Sequence, residues 1–349
     1  MKAVGYQKAG PLNRVDALVD TTLPKPSPTG HDVLIAVEAV SVNPVDYKIR
    51  RNVSPADGDW KVLGWDAAGT VVAIGDEVTR LKVGDRVWHA GSLLRQGSNS
   101  EFQLVDERIV GKRPATLSVA EAAALPLTAI TAWELLFDRL DVRRPVRGAA
   151  NAIVIVGGAG GVGSIAIQLV RALTDLTVIA TASRAETRDW VRSLGAHHVI
   201  DHSRPLAEQV SALGIGAPAF VFSAVETERH VDEIVELIAP QGRFGLIDDP
   251  QALVVNPFKR KSVSVHWEFM FTRSMYETAD MTAQGNLLDE VAKLVDAGRI
   301  RSTLTETLRP IDAANLRKAH ALLESGRARG KIVVEGFDAG AVRQGERAQ

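Results

Sequence analysis

The chain of 349 residues contains no cysteine. That absence excludes disulfides, thiolate nucleophiles and every zinc site that takes a ligand from cysteine. Aromatic residues make up only 5% of the chain, with three tyrosines, so each phenol available for proton chemistry can be weighed singly. Neither sign of charge is in surplus: 41 basic side chains stand against 42 acidic ones, a formal net charge of −1. Without an overall field to attract nucleic acid or an anionic membrane, the expected partners are small molecules. The N-terminal MKAVGYQKAG enters strand-like alternation directly, lacking the basic segment and apolar stretch of a secretory leader. No apolar run approaches the roughly 18 residues of a membrane span. The expectation is a cytoplasmic protein with neither nucleic-acid nor membrane partners.

The length exceeds one ordinary core, and 46% hydrophobic residues suffice for two. Residues 1–127 read as short strands, VLIAVEAVSV (33–42), GTVVAIG (69–75) and RVWHA (86–90), cut by turn residues. This is the pattern of a compact, mostly antiparallel β domain. From Thr128 apolar strands (AIVIVGG, LTVIATAS, HHVID, AFVFSA, GRFGLID, VSVHWEF) alternate with helical runs. Regular alternation predicts a parallel sheet covered on both faces, hence a doubly wound α/β domain over 128–272. Beyond it, residues 273–349 hold NLLDEVAKLVDAG, STLTETL, AANLRKAHALLESG and KIVVEG, and are expected to rejoin the first domain. The α/β unit is then an insertion in a β-rich fold. The closing DAGAVRQGERAQ lacks apolar periodicity and is expected to fray.

Gly158-Ala159-Gly160-Gly161-Val162-Gly163 satisfies G-x-G-x-x-G between the strand AIVIV and the helical SIAIQLVRAL. Bare backbone lets a diphosphate approach closely, and the helix start offers unpaired N–H groups and a positive dipole end. A tight turn needing glycine only for packing satisfies the same pattern. The order strand, turn, helix, second strand favours a dinucleotide. At the end of that second strand an NAD site wants an acid for the ribose hydroxyls, whereas this chain has Ser183-Arg184. The planar arginine fork suits a 2′-phosphate and the serine hydroxyl adds a donor, which points to NADPH. The other reading makes Arg184 a solvated helix-start residue and gives the ribose to Glu186. His202, after HHVID, is a further candidate phosphate contact or a plain surface histidine.

The segments VSVNPVDYKIR (40–50), VLGWDAAGTVVAIGDEV (62–78), KVGDRV (82–87), GGAGGVGS, LGAHHVID and GKIVV appear in an order that resembles the medium-chain dehydrogenase/reductase superfamily, closest to its quinone oxidoreductase branch. The resemblance covers nearly the whole chain. It implies a Rossmann domain inserted in a GroES-like catalytic domain, with the active site between them. Zinc alcohol dehydrogenases of this superfamily have Cys where Asn43 stands here and Gly-His-Glu where this chain has Gly64-Trp65-Asp66. SLLRQGSNSEF is too short for their lobe of four cysteines. No metal is therefore expected, and a zinc label on such a chain would describe the superfamily. Among the histidines, His197 and His198 point to opposite faces of a strand, while His266 and Glu268 share a face without a visible third ligand.

Hydride reduction of a carbonyl needs something to take up charge on oxygen, which zinc does as a Lewis acid. Without it, the easier acceptor is one that spreads the charge itself, a quinone or an α,β-unsaturated carbonyl, assisted by hydrogen-bond donors. The resemblance likewise implies NADPH-dependent reduction of quinones or activated alkenes. Candidate catalytic residues are Asn43, whose amide would donate to the carbonyl, Tyr47, whose phenol would donate or relay a proton, and Asp46, the acid of the family's N-P-x-D pattern, expected to hold the loop or the nicotinamide end. All three are also ordinary turn residues. Trp65 is expected to fill the vacated ligand place and offer a planar substrate a stacking surface, or else to be a core aromatic. Phe271 and Arg273, in the loop after the last α/β strand, are candidate wall residues. By resemblance Thr131 lies near the nicotinamide and Lys331 near the cofactor phosphates. Pairing of VSVHWEF across a two-fold axis, usual in the family, implies a homodimer. Two rivals remain: an enoyl-thioester reductase, using Arg50-Arg51 or Lys259-Arg260-Lys261 for the thioester's phosphates, and a protein that binds NADPH without turnover as a redox sensor.

Overall fold

A computed structural model describes residues 1–338. The tail expected to fray therefore lies outside the described residues, except for Asp338. The strand Asp32–Ser41 is apolar almost throughout because it is hydrogen-bonded on both sides and buried on both faces. It pairs antiparallel with Ala67–Ile74, Phe102–Asp106 and Lys331–Glu335, which brings the end of the chain back to its beginning. Arg86–His89 and Val110–Lys112 extend this sheet on one side and Leu304–Leu308 on the other, the last running parallel to its neighbour. A small second sheet joins Lys2–Tyr6 to Val19–Thr22 and Lys61–Val62.

The other half is the doubly wound domain. Its six strands are all parallel, in the spatial order His198–Ile200, Thr177–Thr181, Ala150–Val156, Pro218–Ser223, Arg243–Leu246, Ser264–Trp267. The chain starts in the middle, winds to one side and then to the other, so Ala150–Val156 and Pro218–Ser223 flank the switch point, where ligands of such sheets bind.

Among the described residues one apolar helical stretch, Val119–Arg139, is long enough by length and composition to cross a membrane, against the expectation that none would be. It lies in the core instead: 83% of its most apolar window is buried. Its first part packs on the β-rich sheet, and Pro126–Trp133 packs on Gly161–Leu173 and Thr282–Asp296, so its apolarity joins the two halves.

Candidate active site

The strand Ala150–Val156 delivers the glycine turn to the upper edge of the parallel sheet. Gly157, one residue ahead of the motif read from the sequence, has φ of +80°, a region that glycine enters without strain. Its N–H donates to Thr181 Oγ1 at 2.9 Å and that of Gly158 to Thr181 O at 3.2 Å, which pins the turn to the neighbouring strand. A Cβ at Gly163 would fall 2.3 Å from Gly157 O, so this glycine lets the helix Gly161–Leu173 lie against the turn. At Gly160 a Cβ would meet only Gly157 O, at 3.5 Å. That side of the turn is open. The N–H groups of Gly161, Val162 and Gly163 precede the first helical bond, from Ser164 N to Gly160 O at 2.9 Å. With the helix dipole they make a cradle for a diphosphate, which fits a dinucleotide.

Beside this cradle, Ser183 and Arg184 follow the strand Thr177–Thr181, and Arg184 starts the helix Ala185–Ser193. Its Nη2 donates to Arg327 O at 3.0 Å, and its Nε lies 3.4 Å from Glu186 Oε1. The candidate phosphate ligand and its rival for the ribose thus occupy one corner. His202 belongs there too, with Nδ1 3.3 Å from Thr181 Oγ1. Gly330 N donates to Ala159 O at 2.9 Å, which ties the segment carrying Arg327 and Arg329 to the turn and adds positive charge to it. Sequence reading missed Thr181 and Arg327. The strand-end position of Thr181, one step before Ala182-Ser183-Arg184, was the available signal for the first. Nothing local marks the second.

On the opposite side three residues read separately form one buried cluster. The Lys331 ammonium donates to Val42 O (2.9 Å), Asp66 Oδ2 (2.9 Å) and Asn43 Oδ1. Asn43 Nδ2 donates to Asp66 Oδ2 at 2.8 Å and Ser41 O at 3.3 Å, while Asp66 Oδ1 accepts from Leu127 N at 2.7 Å, at the start of Pro126–Trp133. Burial holds the Asp66 carboxyl above the usual carboxylate range, a rise that the Lys331 charge offsets only in part. Each hydrogen bond at its two oxygens comes from a donor, Lys331 and Asn43 at Oδ2 and Leu127 at Oδ1, the set of partners that suits an ionised carboxylate beside an ammonium.

This cluster corrects two expectations. The Lys331 ammonium does not face the open side of the glycine turn. Only its stem reaches the turn, where a Cβ on Gly161 would lie 2.9 Å from Lys331 Cδ. Asn43 has no hydrogen left for a substrate, because both amide protons go to protein oxygens. Asp46 holds the loop: its Oδ2 accepts from Asn43 N at 2.7 Å, and burial raises its carboxyl to about 7. Tyr47 is half-buried beside Arg51, 5.3 Å from its ring, and its phenol has no hydrogen-bond partner among the described residues.

The wall is corrected as well. Trp65 is 1% exposed, donates from Nε1 to Ser92 O at 3.2 Å and meets Phe271 edge-on at 6.3 Å, so it presents no open face for stacking. Phe271 in turn meets Phe269 at 5.5 Å, and Phe269, overlooked in the sequence, is 50% exposed. Arg273 is not an open wall residue: it is buried in ion pairs to Glu134 (2.6 Å), Asp138 (3.0 Å) and Asp280 (2.9 Å). Thr131 bonds Leu127 O at 2.8 Å within its own helix, the arrangement of a buried helical threonine. The basic pairs offered for a thioester are also partly spent. Arg50 is buried on Glu324 (2.7 Å) and Lys261 donates to Glu236 O and Ile238 O.

Zinc does not fit this site. Asn43 and Asp66 already hold an ammonium, the Trp65 indole can only donate, and among the described residues no group of three or more His, Asp or Glu could hold a metal ion. Elsewhere His266 turns to Ser264 Oγ at 3.0 Å, while Glu268 pairs with Arg139 at 3.0 Å.

Residues 29–128 match the family model of the alcohol dehydrogenase GroES-like domain, and residues 194–334 that of zinc-binding dehydrogenase. A crystal structure of a putative zinc-dependent alcohol dehydrogenase from Rhizobium etli is 66% identical, with a TM-score of 0.95 over 97% of this chain and 98% of that one. A zinc-type alcohol dehydrogenase-like protein of Staphylococcus aureus is 40% identical over 96% of this chain and 99% of its own length. The quinone oxidoreductase of Coxiella burnetii is 27% identical, with a TM-score of 0.77 over 97% and 99% of the two chains.

Proposed function

The chain belongs to the medium-chain dehydrogenase/reductase superfamily and is an oxidoreductase of it, and from that premise we propose that it transfers hydride from NADPH to a quinone or α,β-unsaturated carbonyl without a metal. The observation that carries the reading is the pairing of an open glycine cradle, with Arg184 in its ribose corner, to an acceptor side whose cation is a lysine. NADPH supplies the hydride when bound. Gly160 to Gly163 hold its diphosphate, while Arg184, Ser183 and His202 hold its 2′-phosphate. The aromatic run from Trp65 through Phe271 to Phe269 excludes water and gives a planar acceptor the exposed face of Phe269. Charge developing on the acceptor oxygen is met by the Tyr47 phenol, which donates a hydrogen bond and then its proton. The likeness to the Coxiella burnetii quinone oxidoreductase supports this acceptor class.

The strand Ser264–Trp267 forms the outer edge of the parallel sheet, with Trp267 53% exposed, and we assign it to a homodimer contact in which two edges pair across a two-fold axis. The use of Arg50 and Lys261 inside the fold weakens the thioester reading. Steady-state NADPH oxidation with 1,4-benzoquinone, methyl vinyl ketone and crotonyl-CoA separates the possibilities. Turnover with the first two well above the third is expected. Preference for the thioester, or NADPH binding without turnover on any acceptor, contradicts the proposal.

A further inference from the structure

We propose that the ammonium of Lys331 is the resident cation of the acceptor site, tethered to the chain and holding Asn43 and Asp66 in the place where a metal would otherwise have to gather them. Its three protons meet three oxygens of different kinds, a backbone carbonyl, a carboxamide and a carboxylate, from two segments of the chain. Lys331 itself comes from a third. Oxygens converging on one point repel each other unless a cation lies between them, and this cation is 4% exposed, with no proton left for a phosphate. Five stretches thus meet at one charge. The residues 42–43 and 66 are bound to it directly, Leu127 is bound through Asp66 Oδ1, and Gly161 is touched by the lysine stem. Thr128, next to Leu127, also packs on Gly161, where a Cβ would lie 3.1 Å from its Cγ2. The charge therefore fixes the acceptor loop against the cofactor loop. Lys331 acts as a positioning residue through Asn43 and Asp66.

The cation role is tested without any substrate. Thermal unfolding of the full chain is compared for wild type, Lys331→Met, Asp66→Asn and the double variant. Each single change strands a buried charge and lowers the midpoint by at least about 5 °C, and the neutral pair recovers at least half of that loss. A double variant no more stable than the poorer single one overturns the proposal. So does an undisturbed Asp66→Asn beside a Lys331→Met whose NADPH dissociation constant, from fluorescence titration, rises tenfold, the pattern of a phosphate-binding lysine. The positioning role rests on the NADPH-reductase reading and has its own readout. Lys331→Ala loses at least about tenfold in kcat with the NADPH dissociation constant within threefold of wild type, and 100 mM methylammonium restores about threefold or more. Equal recovery in tetramethylammonium, an ion too large for the space, overturns positioning by a bound cation. If the wild type itself turns over no acceptor, the reductase reading fails and the unfolding comparison still decides the cation.

Discussion

The glycine turn and the buried cluster of Asn43, Asp66 and Lys331 are built in opposite ways. At the glycine turn the chain is stripped of side chains, and a Cβ at Gly160 would find almost nothing on its open side. In the buried cluster every polar group of Asn43, Asp66 and Lys331 is already spent on a neighbour. An open cradle of backbone N–H groups gains its partners only when an anion arrives. A closed network has no such demand, so what reaches it must be held by the few groups left over, Tyr47 and the aromatic edge. Under the proposed function, affinity belongs to the turn and orientation to the cluster.

The largest expected effect breaks the open face. Gly163→Val would drive a side chain into Gly157 O, at 2.3 Å from its first carbon, and should reduce NADPH affinity in a fluorescence titration at least about a hundredfold. Retained affinity would mean that the turn is not the cradle. A smaller effect sharpens the cofactor choice: Arg184→Ala removes a charge-assisted contact and should raise the NADPH Michaelis constant about tenfold with little change for NADH. A native preference for NADH would instead favour Glu186 as the ribose ligand.

The smallest effect separates the faces by pH. Asp46, on the closed face, has a carboxyl raised to about 7 by burial, well above its unfolded value near 3.9. The folded state therefore holds a proton that the unfolded chain has lost, and its contribution, complete below about pH 4, disappears as pH rises through 7. Between pH 5.5 and 8.5 the unfolding midpoint of wild type should fall about 2–4 °C further than that of Asp46→Asn, which keeps the bond from Asn43 N at every pH. Equal slopes would place Asp46 in an environment wetter than the one described.

What could be read from the sequence follows the same divide. The parallel, doubly wound character of the 128–272 domain and the glycine motif depend on contiguous patterns of apolarity and glycine, which a linear reading preserves, and the return of 331–335 to the first sheet agrees with the expected insertion. The closed face depends on residues 43, 66, 127 and 331 converging from four places, and no local pattern records that Lys331 turns inward. The sequence shows that Asn43 carries an amide, yet whether that amide still has a free proton is a property of its neighbours. For the same reason the sequence leaves Trp65 open between a stacking surface and a core aromatic, of which the structure shows the second, and it does not reveal that Arg273 is buried. A residue type announces what a side chain can do, while burial in the edge-on contact with Phe271 and in the ion pairs with Glu134, Asp138 and Asp280 decides what it does.

Hydride transfer from NADPH to a conjugated acceptor at a site whose cation is a lysine needs no metal, so kcat/KM for 1,4-benzoquinone with NADPH should take the same value before exhaustive chelation, after it, and again after zinc is added back. Activity that vanishes on chelation and returns with zinc would contradict it.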